Sequence, residues 1–210
     1  MNPILLLNAV LPSALRVAAS VSVACLASSC ATTTNKPGAL APKARAAAPL
    51  RTVQQVDLKR YMGDWRVIAN IPYFAEKGCV DSIETYTLRP DGRLDNDFTY
   101  RKKSFDAPRK KITAMAWVHN KQTNAEWRIR FFGLITVDYL ILDLDPDYKW
   151  TVVGHPSRKY GWIMAREKTL DETTYQAILR RLATQGYEPG KFQKVPQFPS
   201  QMGFPPLSHP

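Results

Sequence analysis

The sequence predicts an all-β fold: a closed, eight-stranded, antiparallel up-and-down β-barrel with one C-terminal α-helix packed outside it. Between residues 57 and 165 the side chains alternate with period two in segment after segment. The segments follow one another at roughly 8–14-residue spacing through short turns. Only one segment with helical periodicity follows them. Consecutive strands without intervening helices indicate a meander, which loses its exposed edges by closing into a barrel.

The alternation places each strand. In the first, Trp65, Val67 and Ala69 share one face, and Arg66 and Ile68 share the other. The eight strands are expected at residues 65–69, 82–87, 93–101, 112–118, 127–131, 139–144, 150–153 and 161–165.

Turn and capping residues support the same order of elements. Asp91-Gly92 is a hairpin signal between the second and third strands, because such tight turns need residues that tolerate positive φ. The helix is predicted to begin at Asp171-Glu172 and to end at Gly186. Its apolar face carries Tyr175, Ile178, Leu179 and Leu182.

The N-terminal region has the pattern of an export signal. A charge-poor apolar stretch at residues 17–26 is long enough for a signal peptide but too short to span a bilayer. It leads into Ala27-Ser28-Ser29-Cys30, which resembles the site at which bacterial lipoproteins are cleaved and acylated. We therefore expect a lipoprotein signal peptide at residues 1–29 and lipidation of Cys30. Cys25 is a competing site, and an ordinary secretory signal is the alternative.

The rest of the chain divides into three parts. Residues 30–53 contain almost no large apolar side chain, so they cannot bury enough surface to fold and are expected to form a flexible tether. Residues 54–198 form the predicted barrel domain. Residues 199–210 form a Pro-rich C-terminal tail.

Charge and cysteine content exclude several classes of protein. The 210-residue chain has a formal net charge of +11, but an exported protein seldom meets nucleic acid and no basic helix is present. Cys79 is the one cysteine within the predicted domain, so a disulfide framework is excluded. His119, His155 and His209 show neither metal-ligand spacing nor a catalytic arrangement with Ser or Cys. No metal, cofactor or enzymatic activity is therefore expected.

Several sequence blocks together resemble one family. They are the Gly63-x-Trp65 opening, Glu84–Leu88 with the following Asp-Gly turn, Phe131-Phe132-Gly133, Leu144–Tyr148 and Tyr160–Arg166. In this order, behind a lipoprotein signal, they are similar to the bacterial outer-membrane lipocalins related to apolipoprotein D. The resemblance implies the lipocalin barrel, with Gly63, Trp65 and Arg166 in structural roles. Trp65 would plug one end of the barrel, and Arg166 would stack on its ring.

The lipocalin pattern also predicts which side chains face the barrel interior and bind a ligand. These are Glu84, Tyr86, Asn96, Phe98, Trp127, Ile129, Phe131, Tyr139, Ile141, Trp162 and Met164. Most are apolar or aromatic, which suits a fatty acid, a lysophospholipid or a similar apolar ligand. In the alternative interpretation the same side chains fill the barrel and leave no cavity. For Glu84, a hydrogen bond to Asn96, Tyr100 or a basic partner is the alternative to a ligand contact.

The open end of the barrel is expected to be basic. The rim residues are Arg101, Lys102, Lys103, Arg109, Lys110, Lys111, Arg158 and Lys159. Leu134 and Ile135 add apolar side chains to another loop at the same end. Such a rim would meet anionic lipid head groups, although charged loops are also common on surfaces that bind nothing.

The sequence thus predicts a membrane-anchored protein that stores or transports a lipid in the cell envelope. Ala31 rather than Asp after Cys30 favours the periplasmic face of a Gram-negative outer membrane, with the acyl anchor in its inner leaflet. A homodimer is left open. The alternatives are an enzyme that acts on a lipid through the Cys79 thiol and an envelope interaction protein with a filled barrel.

Overall fold

The computed structural model describes residues 48–203 and contains the predicted barrel. The strands are β1 (Gly63–Ile71), β2 (Cys79–Leu88), β3 (Leu94–Lys102), β4 (Lys110–Val118), β5 (Glu126–Phe131), β6 (Ile135–Leu144), β7 (Trp150–Gly154), β8 (Gly161–Ala165) and β9 (Gln193–Lys194). The helices are α1 (Leu58–Tyr61) and α2 (Glu172–Thr184), with single 3₁₀ turns at Pro189–Lys191 and Pro199–Gln201.

The strands are connected as a closed antiparallel meander. Hydrogen-bonded neighbours run in the order β2-β3-β4-β5-β6-β7-β8-β1-β9, and β1 also pairs with β2. This last pairing closes the first eight strands into a barrel, so the predicted fold class is confirmed. The structure adds α1 and the two-residue β9, which the sequence did not indicate.

The predicted signal peptide, Cys25, Cys30 and the tether up to residue 47 lie outside the described residues, as do residues 204–210 of the tail. The last residues of the segment assigned to the tether carry hydrogen bonds to the folded domain. The backbone N–H of Arg51 donates to Gln185 Oε1 over 2.8 Å, and that of Val53 donates to the carbonyl of Ile141 over 3.0 Å. No helix within residues 48–203 is long and apolar enough to cross a membrane.

The barrel wall buries apolar side chains on both of its faces. The inner face forms the barrel core around Trp65 and Trp127. The outer face forms a second cluster beneath α2, whose Tyr175, Ile178, Leu179 and Leu182 pack as predicted. The Asp171 side chain caps this helix by accepting from the Thr174 N–H over 2.8 Å. Helix α2 therefore covers the outside of the wall and leaves the inside to the strands.

One strand departs from the predicted facing. Ala69 was expected to share the face of Trp65 and Val67, and this is wrong. A register shift between Val67 and Ala69 reverses the alternation. Ala69 and Ile71 consequently lie in the cluster beneath α2, while Asn70 donates a hydrogen bond to Glu76 in the loop after β1. A β-bulge of this kind adds one residue to a strand and exchanges its two faces beyond that point.

Candidate ligand-binding site

The two ends of the barrel differ. The loops that follow β1, β3, β5 and β7 lie at one end, because consecutive strands are antiparallel. At the other end, the chain before β1 crosses the opening. The Val56 N–H donates to the Thr123 carbonyl over 2.8 Å, and the Asp57 N–H donates to the Tyr148 hydroxyl over 2.8 Å. These bonds tie the segment to two loops of this closed end.

Aromatic side chains fill the barrel above the closed end. We call this layer the floor; its members are Tyr61, Trp65, Tyr86, Trp127 and Tyr139. The rings of Trp127 and Tyr139 stack with centroids 5.0 Å apart. The Tyr139 hydroxyl lies 2.9 Å from those of Tyr61 and Tyr86, and burial raises the pKa of all three phenols. The floor is packed and its hydroxyl groups are satisfied, so it forms the bottom of any site.

The floor is sealed from below as the resemblance implied. The guanidinium carbon of Arg166 lies 3.7 Å from the ring centroid of Trp65. Arg166 also donates to the carbonyls of Asp64 (2.8 Å), Arg60 (2.7 Å) and Tyr61 (3.2 Å). Gly63 has φ +89°, and a Cβ there would lie 3.5 Å from Arg166 Nη1. These residues stabilise the closed end and leave no room there for a ligand.

Above the floor, some side chains that face the barrel interior remain partly accessible to solvent. We call this region the cup. Its partly accessible members are Glu84, Ile112, Phe131, Val137 and Trp162. The other predicted lining residues also face inward: Tyr86, Trp127 and Tyr139 belong to the floor, and Asn96, Phe98, Ile129, Ile141 and Met164 are buried in the wall. Their contact with a ligand remains a prediction.

Glu84 is a carboxyl group inside the barrel. Its Oε2 accepts a hydrogen bond from Asn96 Nδ2 over 2.6 Å. Burial raises the pKa of Glu84 to about 7, although the bond from Asn96 works in the opposite direction. This is the Asn96 contact that the sequence offered as one alternative.

Glu76 is a second internal carboxyl group, and the sequence gave no sign of it. Its Oε1 accepts from Trp162 Nε1 and its Oε2 from Asn70 Nδ2, each over 2.9 Å. Burial raises the pKa of Glu76 to about 8, and the nearby Glu84 adds to this shift. Glu76 lies in the loop between β1 and β2. A loop has no alternating pattern, so the sequence could not predict that this side chain points into the barrel. Asn70 was missed because of the β-bulge that precedes it.

The predicted basic rim is partly tied up in ion pairs. Asp81, which is 8 % exposed, accepts hydrogen bonds from both Arg101 and Arg109. Lys102 donates to the Ala75 carbonyl over 2.9 Å. These contacts attach the loop that follows β3 to strand β2 and to the loop before it. Only part of the positive charge predicted for the rim is therefore free to attract an anionic partner.

The other rim residues differ in their contacts. Arg158 donates to the carbonyls of Gln185 (2.7 Å) and Ala48, so it binds the end of α2 and the N-terminal segment. Lys111 pairs with Asp97 on the outer surface. Lys103, Lys110 and Lys159 are exposed.

Apolar side chains also project at the open end. Leu134 is 80 % exposed and Phe132 is 55 % exposed, both in the loop after β5. Phe74, in the loop after β1, is 46 % exposed. Ile135, predicted to project with Leu134, is the half-buried first residue of β6. The loops after β1 and β5 are on opposite sides of the barrel, so exposed apolar groups flank the opening.

The side chains that could act in catalysis, Cys79 and His155, are poorly placed for it. Cys79 is buried, and burial raises the pKa of its thiol, although Lys102 Nζ lies 3.8 Å from the sulfur. A nucleophilic thiol needs the opposite shift. His155 Nδ1 lies 2.8 Å from Ser157 Oγ within one exposed turn. Residues 48–203 contain no cluster of side chains suited to a metal ion.

Comparison with known proteins identifies the family. The lipocalin-like domain family matches residues 56–197, which include every barrel strand. The chain is a lipocalin. The contact between Arg166 and Trp65 is the one that the sequence resemblance implied.

This lipocalin has relatives in plants and bacteria. It is 33 % identical over 160 residues to temperature-induced lipocalin-1 of Arabidopsis thaliana, covering 70 % of this chain and 83 % of that protein. It is 30 % identical over 148 residues to outer membrane lipoprotein Blc of Escherichia coli K12, covering 69 % and 81 %. For the Citrobacter freundii protein of the same name, identity is 28 % over 186 residues, covering 87 % and 97 %.

Solved structures share the fold of this lipocalin. Insecticyanin from the tobacco hornworm Manduca sexta superposes with a TM-score of 0.57 at 19 % identity, covering 71 % of this chain and 85 % of that one. Apocrustacyanin C2 superposes with a TM-score of 0.55 at 12 % identity, covering 69 % and 81 %. At these identities the likeness concerns the fold alone.

Proposed function

We propose that this lipocalin is a membrane-anchored lipid-binding protein that stores or transports one fatty acid, lysophospholipid or similar apolar ligand in the cell envelope. The observation that carries the proposal is the cup above the packed floor. Ile112, Phe131 and Val137 face inward there and still keep accessible surface. Water in contact with such a wall is released when an apolar chain replaces it, which favours binding.

The anchor is the second part of the proposal. Acylation of Cys30 would attach the protein to the inner leaflet of the outer membrane, on its periplasmic face. Two bacterial relatives are named outer membrane lipoprotein, and the match to one of them covers 87 % of this chain. Cys30→Ala should therefore remove the acyl mass and release the protein from the outer membrane fraction. If Cys25→Ala does so instead, the anchor is at the competing site.

The open end suits contact with the same membrane. Phe74, Phe132 and Leu134 are exposed there and could enter the interfacial layer of a bilayer. Lys103 and Lys110 are exposed beside the same opening and would attract anionic head groups. A ligand could then pass between the bilayer and the cup without crossing water.

A pair of neighbouring substitutions tests the cup. Val137 faces inward, and the adjacent Thr136 is exposed on the outside of the same strand. The full chain with Cys30→Ala would be titrated with dodecan-1-ol while tryptophan fluorescence is recorded, because Trp162 lies in the cup. We expect saturable binding in the parent and in Thr136→Asp. Val137→Asp should bind at least about tenfold more weakly, because it places a charge against the chain of the ligand.

Two outcomes would contradict the proposal. Equal affinity in a folded Val137→Asp protein would mean that the probe binds elsewhere. A parent protein without any saturable signal would support the filled barrel. If Val137→Asp does not fold, Val137→Phe serves as the second variant, since it reduces the space of the cup without adding a charge.

A further inference from the structure

Three side-chain N–H groups in the polar wall of the cup donate to its carboxyl groups. Asn70 Nδ2 and Trp162 Nε1 both donate to Glu76. Asn96 Nδ2 donates to Oε2 of Glu84. Within the described residues, Oε1 of Glu84 has no hydrogen-bond partner. When Glu84 is ionised, this oxygen can therefore accept a hydrogen bond from whatever enters the cup.

The position of Glu84, opposite Phe98 in the barrel wall, keeps this oxygen on the inner side of the wall. Its carboxyl group is surrounded by protein, and the resulting loss of hydration raises its pKa to about 7. The residue nevertheless keeps accessible surface. Since Tyr86, two residues further along the same face of β2, is buried in the floor, the accessible side of Glu84 lies above the floor.

No cation of the protein compensates the two carboxyl groups. In the described part of the chain, no lysine or arginine forms an ion pair with Glu76 or Glu84. The amino group of Lys102 is directed to the Ala75 carbonyl and to Cys79. An internal carboxylate without a countercharge is costly, so a cation brought by a ligand would relieve that cost.

Aromatic faces accompany the carboxyl groups. Phe98 is opposite Glu84 in the register of β2 and β3, and it stacks on Tyr100 with centroids 5.0 Å apart. A cation close to such faces gains a further attraction that an anion or an alcohol does not.

We propose that the ligand is a single-chain amphiphilic amine whose ammonium group lies beside Glu84 and Glu76, with its hydrocarbon chain against Ile112, Phe131 and Val137. The inference rests on the proposed function, since it names the chemical class of the lipid that the cup holds. A carboxylate or phosphate group at the same place would be repelled by the two carboxyl groups once these are ionised.

The test compares three probes with the same chain and different head groups. Dodecylamine, dodecan-1-ol and dodecanoate would be titrated into the full chain with Cys30→Ala at a pH of about 8.5, where the amine is still cationic. We expect the amine to bind about tenfold or more tightly than the alcohol, and dodecanoate to bind most weakly. Glu84→Gln should remove the preference for the amine, while the exposed Glu167→Gln, of the same chemistry, should keep it.

The outcomes separate this inference from the proposed function. If the alcohol binds and the amine binds no better, or if Glu84→Gln keeps the preference, the amine assignment is overturned and the lipid-binding function stands. If Glu84→Gln fails to fold, Glu76→Gln provides the same comparison. If none of the three probes binds, the cup is not a ligand site and both proposals are overturned.

Discussion

The guanidinium group of Arg166 covers the outer face of Trp65, 3.7 Å from the ring centroid, and donates hydrogen bonds to three backbone carbonyls. One side chain therefore joins the start of β1 to the chain after β8 and closes the barrel beneath the floor. A planar guanidinium can stack on a ring and donate at its edge at the same time, which an ammonium cannot do.

Arg166→Lys should therefore destabilise the fold. Lysine keeps the positive charge but can satisfy only part of the hydrogen bonds, so we expect a loss of about 2–3 kcal/mol in the free energy of unfolding. Chemical denaturation measures the loss. Arg180→Lys, on the exposed face of α2, is the control and should change stability little. Equal stability of the two variants would show that the Trp65 contact does not hold the closed end.

The internal carboxyl groups predict how stability depends on pH. The folded protein holds the protons of Glu76 up to about pH 8 and of Glu84 up to about pH 7, whereas an unfolded chain releases them near 4.5. The folded state thus binds more protons between these values, so the free energy of unfolding should fall as pH rises from about 4.5 to about 8. A decrease of several kcal/mol is expected, since each unit of pKa difference between the two states corresponds to about 1.4 kcal/mol.

Glutamine at both positions tests the origin of this decrease. The double variant Glu76→Gln, Glu84→Gln cannot ionise there, so its stability should change much less over the same range. His155, whose pKa burial lowers, contributes in the opposite direction and is the same in both proteins. Urea denaturation at several pH values measures this. Parallel curves for the two proteins would show that neither carboxyl group causes the dependence.

The exposed rim lysines should act on membrane binding and not on folding. Replacing Lys103, Lys110 and Lys159 by Gln in the Cys30→Ala chain should leave the melting temperature nearly unchanged, because exposed charges add little to stability. Binding to anionic vesicles should weaken by up to about 1 kcal/mol per residue near the surface. Salt should reduce the difference, since it screens exposed charges. Vesicle co-sedimentation at low and high salt measures both effects.

A matched variant controls for total charge. Lys59, Lys121 and Lys149 are exposed near the closed end, so their replacement by Gln removes the same charge from the opposite end of the barrel. If both triple variants lose the same vesicle binding, the open end has no special part in it. Arg101 and Arg109 are left out because their pairing with the mostly buried Asp81 makes them part of the fold.

Strands such as β3 and β5 could be predicted because their inner and outer faces differ in polarity. Strands β7 and β8 are largely apolar on both faces, and their short apolar segments between turns indicated them. Strand β9 could not be predicted, since two residues carry no period, and α1 is a single turn. The predicted facing of Ala69 was wrong because a β-bulge adds one residue between Val67 and Ala69. The residue types in this segment give no sign of the bulge.

The candidate site was predicted less completely, for a different reason. Alternation indicates which strand residues face inward, so Glu84, Phe131 and Trp162 were found. Glu76 reaches the interior from a loop, and its direction depends on Asn70 and Trp162, which are distant from each other in sequence. The contacts of the rim were equally unpredictable. Arg101 and Arg109 both form ion pairs with Asp81, and this pairing depends on the folded structure.

Native mass spectrometry of the full chain, extracted from the cell envelope in mild detergent, tests the central claim most directly. The wild type should retain one non-covalent apolar ligand in addition to any covalent acyl mass. Thr136→Asp should retain the same added mass, and Val137→Asp should lose it. A wild-type spectrum with the covalent acyl mass alone, or an identical adduct in folded Val137→Asp, would contradict a lipid held in the cup.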